Sequence, residues 1–138
     1  MFGIPLLTIL AAYGGTALVF FGLDLLWLTV LGIGFYRAEI GHLLLDSPNL
    51  VPAGVFYLFY IAGLVGFAVL PAANAQSWVW ALVAGVALGL LAYGTYDMTN
   101  LSTLKGWSLK ISIIDLVWGG FLSGTAALAG YFAVSLTR

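Results

Sequence analysis

The stretch "WVWALVAGVALGLLAYGTYDMTN", Trp78 to Asn100, holds a single charged side chain, Asp97. It exceeds the roughly 20 apolar residues that a helix needs to cross the hydrocarbon core of a bilayer. The rest of the chain shares this character: of 138 residues, 63% are hydrophobic and 7% are charged, with a mean hydropathy of +1.13. A soluble core of this length cannot hide so much apolar surface, so the sequence is that of an integral membrane protein.

Working outward, three further segments are long enough to span. The four run over about residues 4–33, 50–70, 77–100 and 108–136. They predict an all-α bundle of four transmembrane helices, forming a single domain over residues 1–138. Pro48 and Pro52 suit the start of the second helix, because a proline in the first turn loses no intrahelical bond. The opening "MFGIPLLTIL" lacks a positively charged lead and is not followed by a polar mature segment, so a retained span is expected and not a signal peptide.

Charge and composition exclude several function classes. With four basic and five acidic side chains and a net charge of −1, there is no basic field for nucleic acid. The absence of cysteine removes disulfides, thiolate metal sites and thiol nucleophiles. An even number of crossings puts both termini and the "PAANAQS" turn on one face, with residues 34–49 and 101–107 on the other. The second face holds Arg37, Lys105 and Lys110, and the first holds Arg138. Positive-inside bias therefore predicts cytoplasmic loops at 34–49 and 101–107 and both termini outside.

The intramembrane charges fall at one end. Asp24 lies about 14 Å from the end of the first segment at 1.5 Å per residue, near mid-bilayer. Asp97 lies in the last turns of the third segment, and Asp115 lies early in the fourth. Each buried Asp costs roughly 2.5 to 3.5 kcal/mol at a helix centre, so such groups are expected to face the bundle interior and to find partners. Helical spacing puts Tyr93, Asp97 and Asn100 on one face, which makes Tyr93 and Asn100 the expected partners of Asp97. Tyr96 is expected about 100° away, on the stripe of Gly85 and Gly89, a small-xxx-small pair that lets a neighbouring helix approach closely.

A second pattern joins the first and fourth segments. "DLLW" (Asp24 to Trp27) and "DLVW" (Asp115 to Trp118) each place an indole one turn from a carboxylate. The segments run in opposite directions, and the likeness reads as convergent chemistry at a shared site. Tyr57 and Tyr60 lie near the cytoplasmic start of the second segment, where they serve either an aromatic belt or a site lining. Trp78, Trp80 and Trp107 read as belt residues, and Glu39 and His42 as a solvated loop face.

"FGLDLLWL", "GFYRAEIGHLL", "PNLVPAGVFYLFYIAGL", "AYGTYDMTNLSTLKGW" and "DLVWGGFLSGT" resemble the successive motifs of domain-of-unknown-function family 2177, over nearly the whole chain. The resemblance implies a small four-helix protein of the bacterial inner membrane and supplies no established activity. It also implies a polar pattern falling on Asp24, Trp27, Tyr36, Tyr57, Tyr60, Tyr93, Tyr96, Asp97, Thr99, Asn100, Thr103, Asp115 and Trp118.

The chemistry open to these residues is limited. There is no H-E-x-x-H, no second E-x-x-H to make the pair of such motifs that a di-iron site needs, and no G-x-S-x-G, so neither a zinc or di-iron centre nor a serine hydrolase is expected. No metal and no cofactor is assigned, although Asp97, Asn100 and Asp115 compose a weak alternative set for a hard cation. The primary expectation is a cytoplasm-facing acidic, tyrosine-rich intramembrane pocket that binds or moves a small or lipid-like ligand or protons. Its walls are Asp24, Trp27, Tyr93, Tyr96, Asp97, Asn100, Asp115 and Trp118, with Tyr36, Tyr57, Tyr60, Thr99 and Thr103 as further lining. The alternatives are an accessory subunit of a larger membrane complex and a lipid-modifying enzyme. In the enzyme an Asp acts as general base, and Arg37, Lys105 or Lys110 holds an anionic headgroup. Expected partners are the lipid bilayer, a lipid or small-molecule ligand, and a second copy or a larger complex. Set against all of these, the carboxyls are plain interhelical hydrogen-bonding groups.

Overall fold

A computed structural model describes residues 3–138; Met1 and Phe2, the start of the expected retained span, lie outside the described residues. Helix α1 (Leu6–Leu26) runs into a π-helical turn (Trp27–Leu31) and is followed by α2 (Ile33–Ile40) and a 3-10 turn (Gly41–Leu43). Helix α3 (Leu50–Leu64), a second π-helical turn (Val65–Val69) and α4 (Leu70–Ala75) form the next span, followed by α5 (Trp78–Thr103) and α6 (Leu109–Ser135). No strand occurs among the described residues. Four helical stretches, Leu6–Leu31, Leu50–Ala75, Trp78–Thr103 and Leu109–Ser135, are long and apolar enough to cross a membrane. The expected all-α four-span bundle is therefore present.

Local chemistry sets the boundaries. Asn49, Ser77 and Ser108 each accept a hydrogen bond from a backbone N–H in the first turn of the following helix, satisfying one of its orphan donors. Pro71 falls inside the second span, which runs on to Ala75 and does not stop near residue 70. A proline ring clashes with the carbonyl four residues earlier. The π-helical turn over Val65–Val69 relaxes the ladder at that point and lets the helix continue. The turn to α5 is made at Gln76, whose φ of 54° is left-handed.

Helix α6 is the centre of the bundle. It packs most extensively against α5 and next against α1, and it is the most buried of the four spans. Small side chains make this possible: Gly119, Gly120, Ser123, Gly124, Ala126, Ala127 and Gly130 are all buried. At Gly89 an added Cβ would run into the Gly119 backbone, so α5 and α6 meet there almost main chain to main chain. The second span joins chiefly through its second turn and α4, against α5 and α6, while the α3 half contacts α1 and leaves Leu50, Val51 and Phe59 exposed.

Two expectations change here. Residues 34–49 are not all loop, because Ile33–Ile40 continue as a helix at the end of the bundle. Tyr96 does not lie on the glycine stripe: it is exposed, and the buried stripe of α5 runs Ala81, Gly85, Gly89 and on to Asp97, with Tyr93 half-buried between. The contact with α6 follows an i, i+4 row inclined to the helix axis, so over three turns the buried face drifts away from a straight projection.

Candidate functional site

Chain direction brings the carboxyls together. Helices α1 and α5 finish, and α6 begins, at the same end of the bundle, and α2 lies across that end. Asp24, Asp97 and Asp115 are all buried there, at 5%, 1% and 8% exposure. Asp115 acts electrostatically on both of the others. The three form one layer lined by aromatic side chains.

Within the layer the two D-L-x-W motifs are joined crosswise. The Trp118 indole N–H donates to Asp24 over 3.4 Å, so the tryptophan of the second motif serves the carboxyl of the first. In return, Trp27 donates to the Tyr36 hydroxyl over 3.0 Å, and Tyr36 donates to Asp115 Oδ1 over 2.5 Å. Between these two lines the Trp27 and Trp118 rings stack, with centroids 4.5 Å apart and planes 10° apart. Burial, and then the neighbouring Asp115 carboxyl, push the Tyr36 phenol up, so it remains a donor at ordinary pH.

Tyrosines extend the layer toward mid-bilayer. The Tyr57 hydroxyl is turned toward Asp24, and its ring meets Phe20 edge-on. Tyr60 shares a 2.7 Å hydrogen bond with Ser123 and stands edge-on to Tyr93. Tyr57 and Tyr60 are thus half-buried against the bundle and not placed as a belt.

Asp97 is the exception in this network. Neither of its carboxyl oxygens, nor the Tyr93 hydroxyl, has a hydrogen-bond partner among the described residues. The expected Tyr93–Asp97–Asn100 group is therefore not formed. The Asn100 side chain turns to Tyr96, and Asp97 faces Asp115 within hydrogen-bonding reach. An ionised carboxylate only accepts, so two facing carboxylates can bond only through a proton held by one of them. A buried polar group without a partner costs about 1–3 kcal/mol, and more when charged.

The remaining candidates lie outside the layer. Thr99 and Thr103 are exposed and donate to the carbonyls of Thr95 and Thr99 on their own helix. Arg37 and Lys105 are exposed at the same end of the molecule, and Lys110 lies 3.8 Å from Glu39. Trp78 and Trp80 are exposed on the outside of α5, as belt residues would be, whereas Trp107 is half-buried and donates to Ser112. Glu39, expected on a solvated loop face, is instead half-buried in α2 and accepts from Ser108 over 2.7 Å, and Ser123, the partner of Tyr60, was missed from the sequence. Ser123 carried a signal, since it sits in the small-residue run of α6; Glu39 carried none, because its partner is remote in sequence. No group of three or more metal-ligating side chains occurs among the described residues.

Two apolar depressions lie on the outer surface. One is lined by Gly14, Ala17, Leu18, Phe21, Gly22 and Leu25, and the other by Tyr13, Val55, Leu58, Phe59 and Ala62. Neither contains a carboxyl; Asp24, Asp97 and Asp115 are buried inside the bundle, away from both.

A family model described as "Predicted membrane protein (DUF2177)" matches residues 9–132. No curated protein and no solved structure matches the chain.

Proposed function

The chain belongs to the DUF2177 family of predicted membrane proteins, and from that premise we propose that it takes up and releases a proton at the facing Asp97 and Asp115 carboxyls, on the cytoplasmic side of a bacterial inner membrane. The observation that carries this reading is Asp97 itself, 1% exposed, with both oxygens unpartnered and a second carboxyl opposite. Two facing carboxylates repel and offer no donor, whereas one shared proton supplies both needs. Tyr36 then serves the remaining capacity of Asp115.

A proton is favoured over a larger ligand because the three carboxyls are buried and the Trp27 and Trp118 rings stack among them. Intramembrane carboxyls are costly, and neutral Asn or Thr would provide interhelical hydrogen bonds without the charge. The cytoplasmic assignment is supported by Arg37, Lys105 and Lys110 at this end of the chain.

The test is a stopped-flow pH jump on the purified protein with an indicator dye. Wild type is expected to exchange a proton that Asp97→Asn and Asp115→Asn do not. Equal proton uptake by all three proteins ends the proposal.

A further inference from the structure

Helix α2 lies over the carboxyl layer, outside the spans: the Phe35 and Tyr36 rings rest on Trp27, and its direct attachment to α6 is slight. It is bounded by the π-helical turn and Gly32 on one side and by the Gly41–Leu43 turn on the other. Gly32 lies flat against the Trp27 indole, where any Cβ would collide with the ring. Ile40 is the one α2 residue buried, while Gly34, Phe35, Arg37 and Ala38 are exposed. The rest of its hold on α6 is polar: Tyr36 to Asp115, Glu39 to Ser108 over 2.7 Å, and Glu39 to Lys110 at 3.8 Å. A segment with so little buried apolar surface belongs to the low-stability end of local opening. The π-helical turn beside it is a form that recurs where helices bend at functional sites.

We propose that α2 is a lid over the carboxyl layer, latched by Glu39 and turning at Gly32, whose opening admits water to Asp97 and Asp115. This regulates the site of the proton reading and rests on that reading for its purpose. Glu39 is the latch because its bond to Ser108 is charge-assisted, and the Ser108 hydroxyl is held in place as the N-cap of α6, accepting from the Ile111 N–H over 3.1 Å. Lys110 adds little, since its side chain is 66% exposed and the pair is solvated. When α2 lifts, Tyr36 leaves Asp115, and the carboxyl pair meets water from the loop side.

Cysteine labelling reads the lid independently of where any proton resides. The chain has no cysteine, so an introduced thiol reports alone. Ile40→Cys reports the undocking of α2. Ser112→Cys, 0% exposed in the wild type and on the α6 face between Ser108 and Asp115, reports water in the layer. Loss of a charge-assisted hydrogen bond shifts an opening equilibrium by about ten-fold or more. Glu39→Ala is therefore expected to raise the labelling rate at both positions by about ten-fold, with Glu39→Gln between it and wild type because the amide still accepts from Ser108. If Glu39→Ala does not fold, Glu39→Gln alone decides, by raising both rates or neither. A Ser112→Cys rate unchanged in the latch variant overturns the lid, even if Ile40→Cys speeds up. Absence of proton exchange in the pH jump would sink the proton reading while leaving these rates to judge the lid.

Discussion

Tyr36 holds together two parts of the chain that are far apart in sequence. Its hydroxyl accepts from Trp27 and donates to Asp115, so it is the link by which the first D-L-x-W motif reaches the second. Tyr36→Phe would leave an indole N–H and a buried carboxyl oxygen without partners, and a loss of about 1–3 kcal/mol is expected in equilibrium unfolding in detergent. Ser123→Ala removes only the neutral bond from Tyr60, and a smaller loss of about 0.6 kcal/mol is expected in the same assay. The two motifs were visible in the sequence because a carboxylate and an indole one turn apart are rare in an apolar span. Their crosswise pairing was not, because it depends on how α1 and α6 are rotated about their axes and on a tyrosine supplied by α2. The same limit hid the isolation of Asp97: spacing alone put Tyr93 and Asn100 beside it, but Tyr93 is held edge-on to Tyr60 and Asn100 turns to Tyr96.

Among the helices, the contact between α5 and α6 sets the geometry of the layer. Asp97 faces Asp115 because Gly85 and Gly89 let α5 lie almost against the α6 backbone at Ser123, Gly124 and Gly119. Gly89→Ala is expected to destabilise the protein by about 1–3 kcal/mol, since its Cβ meets main chain that cannot yield. Gly14→Ala, where the added Cβ meets nothing within 4 Å, is expected to stabilise by about 0.5–1 kcal/mol through helix propensity alone. Thermal unfolding of the two variants side by side checks the contrast; equal shifts would remove the close approach as the organising contact. The spans were legible because length and apolarity act locally. Helix α2 was not, since "GFYRAEIG" is short and polar enough to read as loop, and what holds it is the distant α6. The small pair in "GVALG" of α5 was read from the sequence, whereas the central place of α6 emerges only with the packing of its longer run of small residues.

For the whole molecule, polarity follows from parity. An even number of spans with acids at the ends of α1 and α5 and near the start of α6 concentrates the ionisable groups at one end, together with Arg37, Lys105 and Lys110. The orientation expected from positive-inside bias places that end in the cytoplasm. In intact spheroplasts a membrane-impermeant thiol reagent should label Arg138→Cys and spare Lys105→Cys; the opposite pattern inverts the topology and puts the carboxyl layer on the outer side. Both arrangements keep the facing acids, which sequence parity could bring to the same end but could not bring into contact. The most direct measurement is therefore the infrared pH-difference spectrum of the purified wild-type protein, taken alongside Asp97→Asn and Asp115→Asn. A proton shared by the pair predicts a protonated-carboxyl band in wild type that both variants lose, because each leaves a single carboxylate with an amide donor. A wild-type spectrum without that band, or a band that persists unchanged in both variants, would contradict it.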